Sequence, residues 1–263
     1  MIDLKIDKAG VATVTLNRAD KHNAFDDVLI AEMTSIFRQI DADENVRVMV
    51  LAANGKHFSA GGDLAWMQKM ASYSGADNLK DARALAEMLS VLNSINKPTI
   101  ARVQGAAFGG AVGLVSCCDI AIAAESASFC LSEVKIGLIP ATISPYVIAA
   151  MGVRAARRYF LTAERFDAQA ALLNGLVSQV CAEDELDEHV AQFIKHLMGN
   201  GPKAIAGAKK LIADVESTPL GAALIEETCK RIAEIRVSEE GQEGLNAFLN
   251  KRAPNWLPKK AND

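Results

Sequence analysis

A mixed α/β fold that gives way to helices is what this chain predicts, on three observations. Apolar strand-like runs alternate with helical periodicity over roughly the first 130 residues. Two of those runs, 46–53 and 98–103, each feed a glycine-rich turn, SAGGD at 59–63 and QGAAFGG at 104–110. Beyond about residue 183 the strand signals stop, and apolar residues recur at helical spacing.

The elements follow in order. Residues 1–8 alternate like a strand, and 11–16 and 47–51 also read as strands. Between them, 26–40 sets Val28, Leu29, Met33, Ile36, Phe37 and Ile40 on one helical stripe. A second helix spans about 77–95 and stops before Lys97 and Pro98, because proline disfavours helical backbone in the residue before it. Strands recur at 99–103 and 120–123. Helices are then predicted at 186–198, 202–215, 219–237 and 239–251, with Pro202 and Pro219 at two of the starts.

Composition sets bounds on what such a fold does. Half of the 263 residues are hydrophobic and 23% are charged, so the chain can bury a sizeable core. No run nears the ~18–20 apolar residues of a membrane span, and the N-terminus lacks a signal peptide's apolar stretch. Cytoplasm is the expected compartment, with no membrane partner. A net charge of −4 supplies no basic face for nucleic acid. The cysteines at 117, 118, 130, 181 and 229 form no C-x-x-C pair and read as small hydrophobes. Histidines 22, 57, 189 and 196 have no ligand spacing, so no metal is expected.

The two turns carry the chemistry. A strand that runs through glycines into a helix leaves backbone N–H groups unpaired, where the helix dipole also favours negative charge. Two such turns converging on one point would form an oxyanion hole. Ordinary strand-to-helix connections are the alternative for each turn taken alone. A dinucleotide site fits poorly, since glycines at 105, 109, 110 and 113 do not spell G-x-G-x-x-G. Glu133, among Val134, Ile136 and Leu138, has the apolar setting that raises a carboxyl pKa and suits proton transfer. It also reads as an acidic residue that merely opens a short helix.

Six segments in order resemble the crotonase (enoyl-CoA hydratase/isomerase) superfamily. They are LNRADKHNA at 16–24, HFSAGGDL at 57–64, VQGAAFGG at 103–110 with Cys118 and Asp119, SEVKIGLIP at 132–140, NGLV at 174–177 and EGLNAFLNKR at 243–252. The resemblance implies a spiral (ClpP-like) core of repeated ββα units over 1–195 and a C-terminal helical trimerisation region over 196–263. Trimers, or hexamers built from two trimers, are the implied assembly. Acyl-CoA is the implied substrate, so coenzyme A enters with it and no prosthetic group is expected. By position in the motifs, the oxyanion donors would be the N–H groups of Gly62 and Gly110, and Glu133 the proton-moving carboxylate. Coenzyme A would follow Ala60, Gly62, Asp63, Leu64, Ala65 and Gly110, with Lys56 and Lys251 as phosphate partners, Lys251 from the same or a neighbouring subunit.

One departure bears on the reaction. Hydratases of this superfamily typically carry a second glutamate three residues after the oxyanion glycine, and here that position is Gly113. Glu87, Thr142 and Ser144 are the candidate substitutes. The runs DLAWMQKM at 63–70 and PATISPY at 140–146 resemble bacterial 3-methylglutaconyl-CoA hydratases of leucine breakdown and isohexenylglutaconyl-CoA hydratases of acyclic-terpene breakdown. Such substrates carry a second carboxylate, for which Lys135, Arg157 and Arg158 are candidate partners. The resulting expectation is reversible water addition to a branched 2-enoyl-CoA. Its rivals are double-bond isomerisation by Glu133 alone and acyl-CoA binding without catalysis.

Overall fold

A computed structural model describes residues 1–257; positions 258–263 of the predicted helical region lie outside the described residues. The chain opens with strands β1 (Ile2–Ile6) and β2 (Val11–Leu16), followed by helix α1 (Asp27–Ala42). Next come β3 (Val48–Ala53), α2 (Leu64–Met70) and α3 (Gly75–Ser94), then β4 (Thr99–Val103), β5 (Ala106–Phe108) and α4 (Gly110–Cys117). The third stretch holds β6 (Ile120–Ala124), β7 (Ser128–Cys130), α5 (Ser144–Thr162), β8 (Phe166–Asp167), α6 (Ala168–Leu173) and β9 (Gln179–Cys181). Four helices finish the chain: α7 (Leu186–Met198), α8 (Pro202–Glu216), α9 (Ala222–Val237) and α10 (Glu239–Leu249).

One sheet has the order β1-β2-β3-β4-β6-β9, parallel except for β1 against β2. Parallel strands inside such a sheet are covered on both faces. All six residues of β3 are accordingly buried. One face of the sheet (Val14, Leu51, Val103, Ala123) packs into the main core with α1, α3 and α4. The other (Val48, Val50, Ile100, Ile122) is closed by Leu186 and Val190 of α7.

A second sheet, β5-β7-β8, explains how distant turns meet. After β4 and after β6, the chain first leaves the large sheet and adds a short strand to the small one, β5 and then β7, before it turns into a helix. After β3 the same path is rudimentary. Instead of a strand it makes single parallel bridges, Ser59 with Ala107 and Phe25 with Gly62. The strand-strand-helix unit thus recurs, and each repeat lays its turn beside the last.

Several predicted boundaries move by only a residue or two, as fraying ends do. The larger difference is α9. Pro219 lies outside it, and Gly221 caps its start at Ala222. Helices α8 and α9 contain no buried residue. Ile212, Val215, Ile225, Ile232 and Val237 face outward, as do Leu245, Phe248 and Leu249 of α10. Among the described residues, no helix is long and apolar enough to cross a membrane.

Candidate active site

The first turn is clamped by side chains. Asn23, fully buried at a left-handed φ of 53°, accepts from the Arg18 N–H at 2.8 Å and donates to the carbonyls of Asn54 and His57, both at 2.9 Å. Backbone bonds from Phe25 N–H to the Gly61 carbonyl and from Asp63 N–H to the Phe25 carbonyl, each 2.7 Å, lock the glycines against residue 25. Gly61 stands at φ +97°, where an L side chain is strained.

Asp63 is engaged by the protein itself. Only 6% exposed, it caps α2 by accepting from Ala65 N–H at 2.9 Å and Trp66 N–H at 3.3 Å. Its other oxygen pairs with Lys21 at 3.1 Å and Arg18 at 3.4 Å. The hydrogen bond from Lys21 leads the causes that hold this carboxyl below its ordinary pKa. Both the carboxylate and the N–H of Asp63 are therefore engaged within the protein, as is the N–H of Ala65.

Backbone holds the second turn. Phe58 N–H donates to the Gln104 carbonyl (2.8 Å), Ser59 N–H to Ala106 (3.0 Å) and Phe108 N–H to Ser59 (3.0 Å), a short ladder between the two turns. Gly109, at φ +54°, stands immediately before α4 and donates to the Cys130 carbonyl at 2.8 Å. That bond ties the turn to the segment bearing Glu133. A Cβ on Gly110 would lie 2.9 Å from a ring carbon of Phe25, so the packing admits only glycine without a shift. Among the described residues, no hydrogen bond takes its donor from the N–H of Gly62 or of Gly110.

Glu133 opens a single 3-10 turn, Glu133–Ile136, that follows β7. A Cβ on Gly109 would lie 3.3 Å from Glu133 Oε1, so glycine there leaves room for the carboxyl. Its Oε2 is buried and, among the described residues, has no hydrogen-bond partner. Burial pushes this carboxyl above its ordinary pKa. A buried acceptor left unpaired costs free energy.

These parts surround one cavity of about 910 Å³. Ala60, Gly62, Leu64, Gly110 and Glu133, all predicted from sequence, line it, with Trp66, Met67, Met70 and Leu85 supplying an apolar wall. Lys135 and Thr142 also line it. Ser144 does not, and its hydroxyl donates to the Ala141 carbonyl at 2.8 Å. Glu87 is turned away from the cavity. Its side chain is 54% exposed and paired with Arg38 of α1, so α3 presents Asp81, Ala82 and Leu85 to the cavity instead. Lys56 and Lys251 are exposed and stand outside the lining, while Arg158 is taken up by Glu164 at 2.7 Å.

Gly113 sits inside α4, at the position where hydratases of the superfamily typically carry a second glutamate. A Cβ there would meet Ile143 Cγ2 at 2.4 Å and Leu89 Cδ2 at 3.4 Å. Hydrocarbon already fills that space. Sequence reasoning missed Ile143 here, and also the clamp made by Arg18 and Asn23. The clamp lay within a recognised motif but carried no assigned role; the contact between Gly113 and Ile143 left no trace along the chain.

Known proteins resemble this chain along nearly its whole length. The chain matches the family described as enoyl-CoA hydratase/isomerase over residues 7–259. It is 32% identical over 247 residues to the 2,3-dehydroadipyl-CoA hydratase of Escherichia coli (strain K12), covering 94% of each chain. A crystal structure of an enoyl-CoA hydratase from Shewanella pealeana is 53% identical with a TM-score of 0.94, covering 97% of this chain and 95% of that one. Pseudomonas aeruginosa AtuE is 35% identical with a TM-score of 0.93, covering 98% of this chain and 99% of that one.

Proposed function

As the chain belongs to the enoyl-CoA hydratase/isomerase family, we propose that it adds water reversibly across the 2,3 double bond of a branched 2-enoyl-CoA, with Glu133 as its one proton-moving carboxylate. The observation that carries this reading is the buried Glu133 Oε2, unpaired among the described residues, in a cavity also lined by Gly62 and Gly110, whose N–H groups have no partner among the described residues. Ionised Glu133 takes a proton from water as the hydroxyl oxygen bonds to C3. The electron pair of the double bond moves to the thioester oxygen, which lies between the two N–H donors. The enolate then collapses, and C2 takes the proton from Glu133. The carboxylate is regenerated, and water has been added with nothing left over. Thr142, which lines the cavity, would supply the hydroxyl that steadies the water, since hydrocarbon occupies the place of a second carboxylate.

3-Methylglutaconyl-CoA, an intermediate of leucine degradation, is the first acyl group to test. The apolar wall suits a branched chain, and Lys135 supplies a cation at the cavity for a second carboxylate. One relative is named for another dicarboxylic acyl group, dehydroadipyl. Coenzyme A would run past Ala60, Gly62 and Leu64 towards Lys56, with Lys251 of a neighbouring subunit at the phosphates. The outward apolar residues of α8 to α10 support a trimer or a pair of trimers built through this C-terminal region, about 196–263.

Isomerisation is the second reading, favoured by the hydrocarbon against Gly113, since the other carboxylate of the lining, Asp81, accepts from Trp66 Nε1 at 3.1 Å. Turnover of 3-methylglutaconyl-CoA in ¹⁸O-water, with Glu133→Gln alongside, separates the two. Label in the product, lost in the variant, supports hydration. Double-bond migration without label supports the isomerase, and binding without turnover of any enoyl-CoA supports a non-catalytic carrier.

A further inference from the structure

His57 belongs to neither the oxyanion donors nor the cavity lining, yet it touches both turns. Its own carbonyl is held by Asn23 Nδ2 in the first turn's clamp at 2.9 Å. Its ring Nδ1 accepts from the Ala106 N–H, in the second turn, at 3.1 Å. That side-chain bond supplements the three-bond backbone ladder at residues 58, 59 and 108. The approach is close, since a Cβ on Gly105 would lie 2.0 Å from the Lys56 carbonyl oxygen and 2.8 Å from His57 Nδ1.

We infer that His57 is a positioning residue for the oxyanion hole: its unprotonated Nδ1, by accepting from Ala106 N–H, sets the second turn against the first and so fixes the separation of the Gly62 and Gly110 donors. Only a nitrogen lone pair accepts, so a proton on Nδ1 abolishes the bond and turns two N–H groups towards each other. The surroundings oppose that proton. His22, from the loop after residues 19–21, stands edge-on at 5.2 Å between ring centroids, and Lys56 flanks the ring from its own loop. The second turn faces the ring with backbone alone. Burial first, then His22 and Lys56, lower the His57 pKa and keep the acceptor available at neutral pH.

Two readouts test this, one of them independent of turnover. The exchange protection of the Ala106 amide is measured against pH in the wild type, His57→Asn and His57→Phe. Asparagine places an oxygen acceptor near the Nδ1 position and does not titrate; phenylalanine offers no acceptor. Protection is expected to fall in acid for the wild type, to persist in the asparagine variant and to be missing at every pH in the phenylalanine variant. In the kinetic arm, with crotonyl-CoA as probe, His57→Phe lowers kcat by about tenfold or more with KM nearly unchanged, because a small displacement of a donor costs rate rather than binding. The acid limb of log kcat, which in the wild type reports both Glu133 and His57, becomes shallower by one proton in His57→Asn. Unaltered Ala106 protection in His57→Phe, or a wild-type acid limb in His57→Asn, overturns the inference.

Discussion

The two glycine turns present the same kind of donor, yet side-chain clamps weigh more in the first and backbone pairing more in the second. Side chains hold the first: Asn23 grips two of its carbonyls, and Asp63 joins Arg18 and Lys21 to the start of α2. The second is held by backbone pairing to Ser59 and Cys130, with Phe25 packed onto Gly110. A side-chain clamp fails by deletion, whereas a backbone clamp fails by insertion. The exposed Ala60 and Gly62 of the first turn leave it open to a long ligand, while Gly109 of the second is buried against the carboxylate.

The largest expected effect lies where the second turn meets Glu133. Glu133→Gln should lower turnover by about 10²- to 10⁴-fold, the usual worth of a positioned proton-transfer group. Because burial raises this pKa, wild-type activity should decline as pH falls through a value above the ordinary carboxyl range. Stability runs the other way. A carboxyl whose pKa is raised by folding stabilises the fold below its unfolded pKa and loses that contribution as pH rises through the folded one. Glu133→Gln should therefore melt higher than the wild type at neutral pH, with the difference closing in acid; a gap that widens in acid would reverse the assignment.

Insertion into the second turn comes next. Gly110→Ala must move Phe25 or the turn itself and should cost about tenfold or more in kcat, in line with a displaced rather than deleted donor. Adding Phe25→Leu should restore part of that rate; no restoration would show that contact with Phe25 is not the cause. Deletion in the first turn should be read mainly in stability. Asn23→Ala strands the Arg18 N–H and two carbonyls and should cost about 2–3 kcal/mol in chemical denaturation, from the ~1–3 kcal/mol typical of a buried unpaired group.

Gly113→Ala should cost about 1–3 kcal/mol through overpacking against Ile143. Pairing it with Ile143→Ala should recover part of that loss, and failure to do so would break the account of this position. Smallest of all is Glu87→Gln. The exposed pair with Arg38 is worth little, and the residue faces away from the cavity. Turnover should stay within about twofold of wild type, and a larger fall would bring Glu87 back as a catalytic group.

Much of this site was legible along the chain, for a physical reason. Glycines at a strand-to-helix turn are required locally, wherever backbone must bend at positive φ or approach a ligand, so Gly61, Gly62, Gly109 and Gly110 stood out in short segments. Glu133 was readable from its place in the 132–140 segment, but its enclosure was not, since Ile136 and Leu138 beside it are exposed and Gly109 of the second turn lies against the carboxyl. The surroundings of Asp63 and Glu87 were not legible, because each is paired with a residue 40 or more positions away, Lys21 and Arg38 respectively.

Sequence by itself determined the main strands and helices up to β6, the four C-terminal helices, the two turns and the family to which such a pattern belongs, but not the short strands β5, β7, β8 and β9 or helices α2, α5 and α6. These are properties of local backbone preference and periodicity. Tertiary structure alone decided that the turns bridge at Ser59 and Ala107, that Oε2 of Glu133 has no partner and that Ile143 fills the space beside Gly113. Each of those depends on atoms from separate strand-strand-helix repeats meeting at van der Waals or hydrogen-bond distance. Periodicity carries no record of such meetings, because it is set by the face a residue presents and not by what arrives against it.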